Sequence, residues 1–271
     1  MSSRGPDSAG FAVYGHPAPP GALKVTLQHP SEGYNWAAVA EGLGHRIGQT
    51  PSVRVVSTHA VFTVRAGEGA VRAFLEETHP DVTVMSAGTS IEIMKEVGSP
   101  ASVIERFHVG RMSGSHAIGH TRMATESAVT TQGSHPFSTG LDLCLVHNGS
   151  LSNHGNVRER LRREGIAFRT DNDTEVAAGY LTSRLRMGDT LSDALNHALD
   201  DLDGFYTFTV GTNEGFAVLR DRIACKPAVM AETDDYVAMA SEYRSLAVLP
   251  GISEAKLWEP EPAVVYSWSR N

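Results

Sequence analysis

The stretch Leu143-Cys144-Leu145-Val146-His147-Asn148-Gly149 is apolar for four residues and then stops on a histidine, an amide side chain and a glycine. It reads as a buried strand whose end carries polar groups. An amide beside a glycine N–H is the pair of donors an oxyanion needs, because glycine lets the main chain approach a substrate closely. Upstream, Gly119-His120-Thr121-Arg122-Met123-Ala124-Thr125 ends a second strand on a guanidinium, a planar fork suited to a carboxylate. Downstream, Asp171-Asn172-Asp173-Thr174-Glu175 opens a helix, with Asn172 as cap and Glu175 three residues on, as in a capping box. The helix dipole there favours an ionised Asp173, which can hold an ammonium. Singly, these are a turn, a surface ion pair and a helix cap. Together they describe a pocket for a zwitterionic amino acid with a reactive carbonyl.

Outward from these segments the chain alternates strand and helix patterns. Residues 10–14 read as a strand, and Pro17, Pro19, Pro20 and Gly21 then break the chain. Residues 24–28, 53–56, 60–64 and 82–85 read as strands. Residues 35–43 form a helix with Trp36, Val39, Ala40 and Leu43 on one face, and residues 70–77 a second. The order βαββαβ is that of a ferredoxin-like subdomain inserted over residues 25–87. Irregular connections within one larger sheet are the alternative. Further on come a strand at 91–94 and helices at 153–163 and 173–185. The clearest amphipathic helix carries Leu191, Ala194, Leu195, Ala198, Leu199 and Leu202 and is stopped by Gly204. Strands at 205–210, 216–219, 227–231 and 236–240 complete the pattern.

The length of 271 residues suits one large domain or a domain with an insert, and 41% hydrophobic with 20% charged residues excludes wholesale disorder. A net charge of −8 leaves no basic excess to neutralise phosphates, which argues against a nucleic-acid partner. Two cysteines, Cys144 and Cys225, cannot form a disulfide framework. No apolar run is long enough for a membrane helix, and the first residues have no apolar signal core. These features lead us to expect a cytoplasmic protein with no membrane partner.

Other chemistries fit poorly. His116 and His120 are four residues apart, but Gly119 and strand-like flanks oppose a shared helical face, and no H-E-x-x-H run or cysteine pair completes a metal shell. The glycine-rich pieces at 110–119 and 149–155 match neither a P-loop nor a dinucleotide fingerprint. Cys144 sits in an apolar run as a small core residue. Cys225 has Lys226 beside it, a neighbour that lowers thiol pKa values, but no histidine partner adjoins it in sequence.

The segments Gly119–Thr125, His147-Asn148-Gly149 with Asn153 beyond, and Asp171–Glu175 resemble the class II glutamine amidotransferase domain. Arg4-Gly5-Pro6-Asp7-Ser8-Ala9-Gly10 resembles that family's R-G-x-D-S-A-G element, and the pieces at 221–227 and 240–242 are similar to its D-x-x-x-x-K-P and A-S-E elements. The chain looks most like the amidotransferase subunit of glutamate-synthase-like systems, in particular N-methylglutamate synthase. The resemblance implies an α+β fold, the four-layer αββα N-terminal-nucleophile hydrolase sandwich. Residues 1–24 and 88–271 would form it, with the ferredoxin-like α/β subdomain inserted. It implies that Arg122 grips the glutamine α-carboxylate and Asp173 the α-ammonium. Met123, Thr125 and His147 line the pocket, Asn148 and the Gly149 N–H stabilise the oxyanion, and Arg4 and Asp7 support the site. It implies no cofactor in this chain. FMN and iron–sulfur centres are expected on a flavin-bearing partner subunit.

The family's nucleophile is a cysteine at the mature N-terminus whose own α-amine is the general base, on a strand ahead of the R-G-x-D-S-A-G element. Here Met1, Ser2 and Ser3 precede Arg4, and Cys144 and Cys225 carry no free α-amine. Two expectations follow. Either the natural protein starts upstream with Met-Cys-Gly and is a glutaminase, or the chain is a catalytically silent scaffold that binds glutamine or glutamate.

Overall fold

The computed structural model describes residues 5–123 and 129–270. The described residues fall into two compact units, one of residues 5–123 and 129–144 with 211–213, the other of residues 145–210 with 214–270.

The first unit contains β1 (Ser8–Tyr14), β2 (Leu23–Gln28), α1 (Trp36–Ile47), β3 (Ser52–Val56), β4 (His59–Val64), α2 (Glu68–Thr78), β5 (Thr83–Gly88), β6 (Ile91–Val97), α3 (Pro100–Arg106) and β7 (His116–Arg122). Its first sheet has the antiparallel order β6-β1-β7, with Gly10 opposite both Lys95 and His120, and Ser8 opposite Arg122. Its second sheet runs β3-β4-β2-β5, antiparallel between every neighbouring pair. That is the ferredoxin-like order, so the helices are crossovers of one sheet rather than irregular connections. Strand residues Val25, Leu27, Phe62, Val64 and Val84 pack on Trp36, Val39 and Leu43 of α1 and on Val71, Phe74 and Leu75 of α2. The helical spacing of those six residues is what turns them to one side. Asn35 caps α1 by accepting from the Ala38 N–H at 3.2 Å, and Gly48 ends it in the left-handed region at φ 72°.

The second unit contains β8 (Cys144–Leu151), α4 (His154–Arg163), α5 (Asp173–Arg186), α6 (Leu191–Asp201), β9 (Gly204–Thr212), β10 (Gly215–Arg220), β11 (Val229–Glu232), β12 (Val237–Ala240), α7 (Tyr243–Leu246), β13 (Lys256–Trp258) and β14 (Val265–Ser269). Its sheets have the orders β14-β10-β9-β8 and β12-β11-β13. The strand expected from Pro227 begins at Val229 instead, in keeping with the missing N–H of proline. Three elements of this unit, α7, β13 and β14, have no counterpart in the sequence reading. The two strands are short, none of their residues is buried, and Trp258, Tyr266 and Trp268 pack ring on ring.

Candidate functional site

The end of β8 is built around one glycine. Gly149 has φ 141°, and a Cβ placed there would lie 1.9 Å from the Phe205 carbonyl oxygen on β9. No side chain fits, so the Asn148–Gly149 main chain is held directly against β9. The facing residues are fixed in turn by Asp221. Its carboxylate accepts from the Tyr206 N–H at 3.0 Å and the Ile223 N–H at 2.8 Å, while Tyr206 O accepts from the Asp221 N–H at 3.0 Å. Arg220 holds the following loop by donating to Pro260 O and Lys226 O, each at 3.1 Å. The supporting roles of Asp221 and Arg220 have no counterpart in the sequence reading, although the D-x-x-x-x-K-P element begins at Asp221.

The start of α5 supplies the carboxylate. Asn172 caps the helix, its side chain accepting from the Thr174 N–H at 2.8 Å. Glu175 does not close a capping box. It reaches past Asn172 to accept from the Arg169 and Thr170 N–H groups at 3.0 and 2.8 Å and from the Thr170 hydroxyl at 2.8 Å. Arg158 donates to Thr170 O and Asn172 O, so the approach to the helix is tied on both sides. Asp173 accepts from the Leu151 N–H of β8 at 2.9 Å through one oxygen, and its other oxygen lies 3.7 Å from His147 Nδ1. That ring nitrogen is also 3.1 Å from Thr174 Oγ1. Burial pushes the His147 imidazole down to about 4, against an upward pull from Asp173, so the ring is neutral at pH 7. His147 is buried, whereas the Asp173 side chain stays 23% exposed and keeps an edge open to a ligand. Asn153 stands at the cap of α4, yet its side chain bridges to Asp201 O and the Asp203 N–H instead.

In the first unit Arg122 is the last residue of β7. Its carbonyl accepts from the Asp7 N–H at 3.1 Å, and its guanidinium donates to Gly133 O at 3.1 Å. Met123 beside it is 56% exposed. Arg4 and Thr125 lie outside the described residues. The expected site residues thus form two local groups, Asp7, Arg122 and Met123 in one unit and His147, Asn148, Gly149 and Asp173 in the other.

The two cysteines differ sharply. Cys144 is buried, receives the Tyr14 hydroxyl at 3.4 Å, and burial pushes its thiol up to about 11. It stays protonated near neutral pH and is no nucleophile. Cys225 is exposed. His116 and His120 go to ring contacts, stacked on Tyr14 and on His135 respectively. Among the described residues no group of three or more histidine, cysteine or acidic side chains is placed to hold a metal, and no helix is long and apolar enough to cross a membrane.

Residues 108–259, more than half of the chain, match the family model described as the glutamine amidotransferase domain. The chain belongs to the glutamine amidotransferase family. It is 61% identical over 269 residues to the glutamine amidotransferase-like protein GlxB of Rhizobium meliloti (strain 1021), a match covering 99% of this chain and 89% of that protein. Among solved structures it resembles glutamine phosphoribosylpyrophosphate amidotransferase from B. subtilis, with a TM-score of 0.52 at 20% identity over 96% of this chain and 49% of that one. A structure described as the allosteric regulatory enzyme of purine biosynthesis gives a TM-score of 0.54 at 20% identity, over 96% of this chain and 46% of that one. The amidotransferase chain spans about half of each of these two solved chains. Both likenesses show the fold alone, the α+β architecture with antiparallel sheets expected from the sequence.

Proposed function

We propose that this chain is the glutamine-handling subunit of a glutamate-synthase-type complex, with N-methylglutamate synthase as the specific assignment. Arg122 would grip the α-carboxylate of glutamine and Asp173 its α-ammonium. Asn148 and the Gly149 N–H would donate to the oxyanion that forms when the side-chain amide is attacked. One observation carries this reading. The Gly149 main chain is seated on β9 by a contact only glycine permits, and two residues further along β8 the Leu151 N–H anchors the Asp173 carboxylate. That the Gly149 main chain and the Asp173 carboxylate are held near one end of β8 supports reading the first as oxyanion donor and the second as ammonium acceptor.

The chemistry is an acyl transfer. A thiol sulfur adds to the side-chain carbonyl carbon, and the C–N bond breaks. The thiol proton leaves with the nitrogen as ammonia, and a γ-glutamyl thioester remains. Water then cleaves the thioester, releasing glutamate and restoring the thiol. In the family the thiol is that of a terminal cysteine with its α-amine as base. The ammonia or amine would pass to a partner bearing the flavin and iron–sulfur centres.

The second reading is a unit that binds glutamine or glutamate without cleaving it, and Cys144, buried with its thiol pushed up to about 11, does not supply a nucleophile in its place. The test is glutamate release from L-glutamine by this chain and by one extended with the family's Cys-Gly start and strand. Release by the extended chain, lost when that cysteine becomes alanine, supports the glutaminase. Binding without release by either supports the silent unit.

A further inference from the structure

The Arg122 guanidinium donates to a main-chain carbonyl of the segment 130–136, and that segment is held by a buried lysine the reaction does not use. Lys95 on β6 is only 4% exposed. Its ammonium donates to Gln132 O at 3.0 Å, Ser134 O at 2.7 Å and Pro136 O at 3.2 Å, and lies 4.4 Å from the centre of the Phe137 ring. Between two of those carbonyls is Gly133 O, which accepts from Arg122 Nη1 at 3.1 Å. Consecutive carbonyls therefore face the two cations in turn: 132 and 134 face Lys95, and 133 faces Arg122.

The sheet is shaped for this segment. Lys95, Gly10 and His120 form one row across β6, β1 and β7. The glycine leaves a gap in that row which His135 O fills, since a Cβ on Gly10 would come within 2.2 Å of it. The His135 ring stacks on His120 with centroids 4.2 Å apart. Arg122, two residues beyond His120 on the same strand, shares that face. The segment also closes on itself, with the Gly133 N–H donating to Thr130 Oγ1 at 3.0 Å and the Ser134 hydroxyl to Thr130 O at 2.9 Å. A lysine with three carbonyl partners in a buried place is an expensive arrangement unless the geometry it fixes is needed.

We infer that Lys95 is a positioning residue for Arg122: by holding the carbonyls on either side of Gly133, it sets the acceptor that aims the guanidinium at the glutamine α-carboxylate. The inference rests on the carboxylate-gripping role proposed for Arg122.

The test is calorimetric titration of L-glutamine into the full chain and its variants. Lys95→Met should raise the Kd about tenfold or more, the scale set by a misdirected charged hydrogen bond, and Arg122→Ala should do at least as much. Because Lys95 acts through Arg122, the double variant should bind no more weakly than Arg122→Ala alone, a non-additivity that general destabilisation does not produce. Lys95→Arg, which keeps charge and donors, should recover part of the lost affinity. Lys95→Gln, which retains an amide donor, carries the same test if Lys95→Met melts below the assay temperature. Unchanged affinity in the Lys95 variants beside a weakened Arg122→Ala, or additive losses in the double variant, would overturn the inference alone. Unchanged affinity in Arg122→Ala would sink the carboxylate assignment itself, and this inference with it.

Discussion

His147 Nδ1 stands 3.7 Å from Asp173 Oδ1, a neutral buried ring on β8 set against the carboxylate that opens α5. The same nitrogen is 3.1 Å from Thr174 Oγ1, and the other Asp173 oxygen accepts from Leu151 N–H, so strand and helix share one small polar cluster. Removing the ring in His147→Ala leaves Asp173 with its strand contact but without its lateral support. Glutamine binding should weaken about fivefold to tenfold, while His147→Asn, whose amide reaches the Nδ1 position, should lose less. Titration of both variants at pH 7 checks this.

Gly149→Ala should be severely destabilising. The new Cβ meets Phe205 O at 1.9 Å in a backbone conformation that side chains rarely adopt, so β8 must separate from β9 locally. A loss of about 3 kcal/mol or more is expected, read as a lowered denaturant midpoint.

Two histidines make the fold acid-sensitive. Burial lowers His59 to about 3 and His147 to about 4, from an ordinary value of 6.5. Above pH 6.5 both are neutral whether folded or not, and the full stability is present. Below it the unfolded chain takes up protons that the folded chain refuses, so stability falls as pH drops toward the folded values. On the order of 2 kcal/mol per histidine should be lost between pH 7 and 4.5, measured by denaturant unfolding. His59→Gln should make that slope shallower.

The thiols give a direct check of burial. Native protein should react quickly with an aromatic disulfide reagent at Cys225, which is exposed, and leave Cys144 untouched until denaturant is added. Rapid reaction of both in the folded state would contradict the Tyr14–Cys144 contact.

Much of this was legible from residue patterns. The ferredoxin-like order of β2 to β5 followed from β-branched runs alternating with the Trp36–Leu43 and Val71–Leu75 helical stripes, because burial on one face fixes both periods. The positions of Asn148 and Gly149 toward the end of β8 and of Asp173 at the start of α5 were legible, because the apolar run before the first two and the Asn172 cap before the third mark those elements. What escaped is long-range and set by main-chain atoms. Glu175 caps Arg169 and Thr170 rather than Asn172, Asp221 fixes β9 behind Gly149, and Lys95 finds three carbonyls some forty residues away. Carbonyls leave no mark in a sequence. The short β13 and β14 escaped for another reason: they are three and five residues long and bury none of them, so no apolar run marks them.

The central claim is that this amidotransferase chain binds glutamine through the strand-end donors of β8 and the carboxylate of Asp173. Titration of L-glutamine into the chain and its Asp173→Asn variant, with D-glutamine as control, tests it most directly. The account predicts saturable, stereoselective binding in the range of about 1 μM to 1 mM, weakened about tenfold or more in Asp173→Asn as the charge that holds the ammonium is lost. Absence of saturable binding to the parent chain, or equal affinity in the variant, would contradict it.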